Sequence, residues 1–125
     1  MNITSTENIK KIAKQLDCGS RAFIDNTTGQ LLFVPGQNNF TDFYKIDKWT
    51  SSEAFEIMSG FADQVSDNKL QSRLFDALRK KKTFREFKFV IDNSGDFRQQ
   101  WFDFKNKWQQ DFVAIQLNQL KPTDE

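Results

Sequence analysis

Fourteen phenylalanines and three tryptophans against a single tyrosine constrain this chain more than any other feature. Rings without a polar handle belong in a core, where each takes about 150–250 Å² out of water. The stretch Leu70–Trp108 concentrates such rings, together with two of the tryptophans and the densest run of lysine and arginine. Its spacing predicts helices wrapped around an aromatic core. The hydrophobic fraction is only 38%, so ring area must supply what aliphatic residues do not. A length of 125 residues fits a single domain, 1–125. Such a domain buries roughly two-thirds of its unfolded surface and needs no disulfide or metal to hold together.

Charge and residue content narrow the functions. Eighteen basic and seventeen acidic residues give a formal charge of +1, so attraction to a polyanion has to come from a local patch. There is no histidine, and Cys18 is the one cysteine. That excludes histidine or thiolate zinc clusters, Ser-His-Asp and Cys-His catalysis, and an internal disulfide. Cys18 reads as a small packed residue rather than a nucleophile. The polar start MNITSTEN and the absence of a membrane-length apolar run lead to the expectation of a cytoplasmic protein with no membrane association.

The chain opens on Thr4-Ser-Thr-Glu7, a capping-box pattern, followed by Ile9, Ile12, Ala13 and Leu16 at helical spacing and by Gly19 as a stop. Arg21–Asp25 and Gln30–Val34 flank Asn26-Thr-Thr-Gly29 and predict a hairpin. Pro35-Gly36 ends its second strand, Gln37-Asn38-Asn39 reads as loop, and Phe43–Asp47 can add a third strand. Helices follow. Thr50-Ser-Ser-Glu53 is a second capping box, with Trp49 before it and a stripe of Phe55, Met58, Phe61, Ala62 and Val65. Asp67 caps a helix carrying Leu70, Leu74, Ala77 and Leu78. Thr83-Phe-Arg-Glu86 is a third capping box, opening a helix with Phe84, Phe87, Val90 and Ile91 inward. Asp92-Asn-Ser-Gly95 breaks that helix. A long final one carries Phe97, Trp101, Phe104, Trp108, Phe112 and Ile115, and Lys121–Glu125 reads as a fraying tail. The alternation of Phe87, Phe89 and Ile91 also suits a strand, but the capping box and the three-to-four spacing favour helix. The fold class is therefore α+β. A small antiparallel N-terminal hairpin or three-stranded sheet packs with a mostly helical C-terminal bundle, divided into a helix-plus-hairpin part at 1–49 and a helical part at 50–120.

Several segments resemble a bacterial uncharacterised protein family, number 0158 of that series. They are Thr28-Gly-Gln-Leu-Leu32, Trp49 through Met58 with Phe61, Leu74-Phe-Asp-Ala-Leu78, Thr83-Phe-Arg-Glu-Phe-Lys88 and Trp101-Phe-Asp-Phe104. The resemblance spans Phe23 to Phe112. It implies no established activity, so it assigns no catalytic residue. The chain departs from the family's pattern in having lysines at 80 and 82, near family glycines, and Gln116-Leu117 near a family Trp-Leu. The first departure makes the turn unusually basic.

Arg79, Lys80, Lys81, Lys82, Arg85 and Lys88 stand against Glu86 within ten residues. Cations at a turn beside a helix start suit phosphate contact. The plainer reading is a solvated turn whose charge is offset by Asp76, Glu53, Glu56 or Asp63. Glu53, Glu56 and Asp63 have the spacing of an exposed helix face and do not read as an acid/base pair. Cations interleaved with rings suit base stacking, but phenylalanine in such excess reads first as core. The Trp101–Trp108 pair reads as core or as an aromatic groove for a partner helix. The expected function is non-catalytic binding of another protein, with phosphate or nucleic-acid binding through residues 79–88 as the alternative. Neither enzyme activity, cofactor nor metal is expected.

Overall fold

The computed structural model describes residues 5–25, 27–34 and 43–120. In chain order these form α1 (Thr6–Asp17), β1 (Arg21–Asp25), β2 (Leu31–Val34), β3 (Phe43–Ile46), α2 (Ser51–Gln64), α3 (Asn68–Leu78), α4 (Thr83–Asp92) and α5 (Phe97–Leu120). This is the α+β architecture that the periodicities predict. Backbone packing groups the chain into two compact units, one made of residues up to Lys48 and from Gln109 onward, the other Trp49–Trp108. Residues 109–120 thus group with the sheet.

In the first unit, α1 starts one residue later than the Thr4 capping box predicts. Ser5 is the cap, its hydroxyl accepting from the Asn8 amide at 3.2 Å; Thr4 lies outside the described residues. Gly19, at φ +94°, ends the helix in a left-handed conformation that a side chain would oppose. Ile12, Ala13 and Leu16 face inward, and α1 packs on β1. The three strands are antiparallel in the order β2-β1-β3. Being central, β1 buries Ala22, Phe23 and Ile24 in succession, where an edge strand would alternate. The hairpin turn is tied by Asp25, whose Oδ1 accepts from the amides of Thr27 at 2.7 Å and Thr28 at 3.0 Å, and by Gly29 at φ +76°. Those two N–H groups, Thr28 first, hold the Asp25 carboxyl below its ordinary value. Beyond β3, the Gln116 side chain accepts from the Asp47 amide and donates to the Asp47 carbonyl, both at 2.8 Å. Gln109, buried, donates to Asp17 at 3.2 Å. The expected loop at 35–39 and the tail at 121–125 lie outside the described residues.

The second unit holds the aromatic core. The Thr50 hydroxyl accepts from the Glu53 amide at 3.1 Å, and the Glu53 carboxylate accepts from the Thr50 amide at 2.8 Å. That is the reciprocal capping box expected at 50–53. Trp49 is buried, edge-on to Trp108 with ring centroids 6.4 Å apart. Ile57 takes the inward place that the sequence reading gave to Phe55, which is exposed. The first helical position sets the rotation, and Met58, Phe61 and Ala62 put Ile57 on the core side (one step before Met58). At the end of α2, the Gln71 side chain donates to the carbonyls of Ala62 at 2.9 Å and Asp63 at 3.2 Å, so α3 caps its neighbour. Asp67 caps α3 by accepting from the Leu70 amide at 3.0 Å. The core closes around Phe61, Phe87, Leu74 and Ile91, all nearly fully buried. Trp101 packs against Phe61 and Phe87, at 5.4 and 4.9 Å between centroids, and Phe104 lies 5.7 Å from Phe61. Trp101 and Phe104 are only partly buried, not enclosed as their spacing suggests, and Ile115 is exposed.

Candidate functional site

The basic run sits on the corner between α3 and α4, and local bonding fixes its shape. Arg79 occupies the C-terminal cap of α3, its amide bonding the Ala77 and Asp76 carbonyls. The next amide, Lys80, bonds the Ala77 carbonyl at 3.2 Å. Thr83 does not cap α4 as the 83–86 capping box predicts. The cap position is Lys82, whose side chain makes no capping hydrogen bond, and Thr83 is the first helical residue. Its hydroxyl turns back and donates to the Lys80 carbonyl at 2.7 Å. The capping motif was overridden because α4 starts one residue earlier than the motif needs, the Lys82 carbonyl already accepting the first helical bond from the Glu86 amide. The hydroxyl instead pins the turn that carries the three lysines.

The cations divide into two groups. Arg79 reaches Asp76 at 3.7 Å, and Lys88 reaches Asp92 at 2.8 Å. Asp92 also accepts from Arg98 at 3.2 Å, tying α4 to α5. The hydrogen bond from Lys88, then that from Arg98, holds the Asp92 carboxyl below its ordinary value. Lys80, Lys81, Lys82 and Arg85 are exposed, and among the described residues none of the four has an ion-pair partner. Glu53, expected as an offsetting charge, is committed to its own helix start.

The rings complete the surface. Phe87, Val90 and Ile91 face the core, so the 100° step of an α-helix turns Arg85, Lys88 and Phe89 toward solvent, while Phe84, beside Ile91 on the wheel, is exposed in the first turn of the helix. Phe84 is 51% exposed and Phe89 61%. The sequence reading placed Phe84 in the buried stripe and gave Phe89 no role. Both are functional candidates it missed, and the signal available was the near-opposite placement of residue 89 to 87 and 91 on a helical wheel. Phe84 and Lys88 are neighbours at i, i+4, as are Arg85 and Phe89. On α5, Arg98 lies 4.8 Å and Lys105 5.3 Å from the Phe102 ring centre. Beside Phe89 a shallow groove of about 210 Å³ is lined by Arg73, Asp76, Ala77, Lys80, Glu86 and Val90. That is below the usual 300–1,000 Å³ or so of a small-molecule site. Of the two rings considered for an aromatic groove, Trp101 packs on Phe61 and Phe87 and Trp108 on Trp49, and both are half-buried.

Among the described residues, no three Asp, Glu, Cys or His side chains gather into a group able to hold a metal ion. Among the same residues, no helix is long and apolar enough to cross a membrane. Fold and surface together define a small α+β protein with a basic, aromatic helical corner. The chain belongs to the uncharacterised protein family UPF0158, whose profile matches residues 1–122. No curated protein and no solved structure matches it.

Proposed function

We propose that this protein is a non-catalytic binding module whose α3–α4 corner takes an anionic partner. One observation carries the assignment: Lys80, Lys81, Lys82 and Arg85 are exposed, and among the described residues none of them forms an ion pair. A folded protein ordinarily disperses or pairs such charge, since like charges close together raise its energy. A bound anion relieves that repulsion. The exposed cations favour the alternative read at 79–88 over the protein partner preferred from the sequence.

The test is a titration of isotope-labelled protein with a short linear polyphosphate at low salt. Amide shifts should concentrate at residues 79–89 and fade as salt rises. The triple variant K80Q/K81Q/K82Q should bind markedly more weakly while keeping the parent's fold, because exposed charges contribute little to stability. Shifts scattered over the surface, or an unchanged affinity in the triple variant, would overturn the assignment.

A further inference from the structure

We infer that the anionic partner is a single-stranded nucleic acid, laid along α4 with bases stacked on Phe84 and Phe89. The inference rests on the anion-binding role of the corner and adds to it the exposed rings. A bare phosphate or an acidic side chain gives no reason for a 10-residue helix to turn two phenylalanines to water. Each such ring is a standing cost in hydration that burial would recover. A nucleotide chain presents one anion and one flat ring per unit. On α4 the exposed rings Phe84 and Phe89 stand among the exposed cations Lys82, Arg85 and Lys88, and on α5 the half-buried Phe102 ring has Arg98 and Lys105 against it.

The strand is single because a duplex keeps its base faces stacked on each other, leaving only edges and phosphates for a protein. Unpaired bases expose their faces, and phenylalanine offers a stacking platform without hydrogen-bond selectivity. Binding should therefore tolerate sequence. The groove beside Phe89 is lined by Arg73 and Lys80 as well as Asp76 and Glu86, so it offers phosphate no net attraction of its own. The chain's net charge of +1 gives little long-range attraction, so affinity must be short-range and ring-dependent. That makes the rings the decisive residues.

Fluorescently labelled oligothymidylate is the probe, with poly-L-glutamate of matched length as a charged polymer without bases. The full chain should bind oligothymidylate at least tenfold more tightly than poly-L-glutamate. F84A and F89A should each weaken it by about tenfold, and the double variant F84L/F89L, which keeps apolar bulk but removes the flat faces, should lose as much as F84A/F89A. K80Q/K81Q/K82Q should flatten the salt slope by up to ~2, at about 0.7 per lost contact on single strands. Circular dichroism of the ring variants should match the parent, since both side chains are exposed. If poly-L-glutamate binds as tightly and the ring variants change nothing while the lysine variant does, the nucleic-acid inference fails and the anionic role stands. If F84L/F89L keeps affinity and the chain sediments with phosphatidylserine vesicles, the rings insert into lipid and the inference also fails. Indifference to the lysine variant removes both.

Discussion

Two threonines in the same sequence context do different work. Thr50 accepts from the Glu53 amide, while Thr83 donates to the Lys80 carbonyl. Thr50→Ala should cost about 1 kcal/mol, as loss of a cap does, read as a lower urea midpoint at unchanged slope. Thr83→Ala should cost less, since the carbonyl it frees is open to water, and should instead loosen residues 80–82, seen as faster amide exchange there. A midpoint loss at Thr83 as large as at Thr50 would return it to a capping role. Charge at single residues also has a sign. Asp92 is held below its ordinary value, 3.8, chiefly by Lys88 and then Arg98, so its folded form favours the carboxylate. Its stabilisation is complete above the ordinary value and disappears as pH falls through the lowered folded value. Asp92→Asn should thus be less stable than the parent at neutral pH, and the gap should close on acidification below that ordinary value. Asp25 in the hairpin turn, lowered by the Thr28 and Thr27 amides, follows the same sign.

α4 separates packing from function within one element. Phe87 is buried between Phe61's neighbours and Trp101, whereas Phe89, two residues on, points to solvent. Phe87→Ala should destabilise by about 3–5 kcal/mol, through lost transfer energy and a cavity. Phe89→Ala should stay within about 0.5 kcal/mol, as surface changes do. Equal losses in thermal denaturation would mean the helix is rotated from the orientation described. α2 offers a finer probe. A methyl on Gly60 would meet the Phe104 ring at 3.4 Å, a tight contact in a partly buried place. Gly60→Ala gains helix propensity of about 1 kcal/mol and loses some of it to that ring. A net stabilisation well short of that figure is expected. The sequence made α4 legible as a helix, because Phe87, Val90 and Ile91 recur at helical spacing. It misled on Phe84, because residues 84, 87 and 91 also fit a stripe, and the wheel alone does not say where the stripe ends.

At the scale of the whole chain, α5 contributes residues 97–108 to the helical unit and 109–120 to the unit with the sheet. Val113 and Leu117 are fully buried there. Leu117→Ala should cost about 2–5 kcal/mol and lower amide protection in β1, and full retention of that protection would sink the grouping. The sequence by itself determined the α+β class, the hairpin, the order of helices and the basic run. Those follow from local rules: periodicity, glycine at positive φ, and side chains that satisfy their own helix starts. It also excluded histidine and disulfide chemistry outright. The three-dimensional structure decided that Trp101 packs on Phe61 and Phe87, that Thr83 ties a turn, and that Asp76 and Asp92 reach three of the surrounding cations while, among the described residues, Lys80, Lys81, Lys82 and Arg85 form no ion pair. It also turned Phe84 and Phe89 outward and exposed Cys18, which its type suggested would pack inside. The Trp101 contacts are set by packing between segments distant in sequence, of which one-dimensional spacing carries no record. The Thr83, Arg79 and Lys88 bonds are local, but each is one of several partners within reach, and only the folded backbone selects among them.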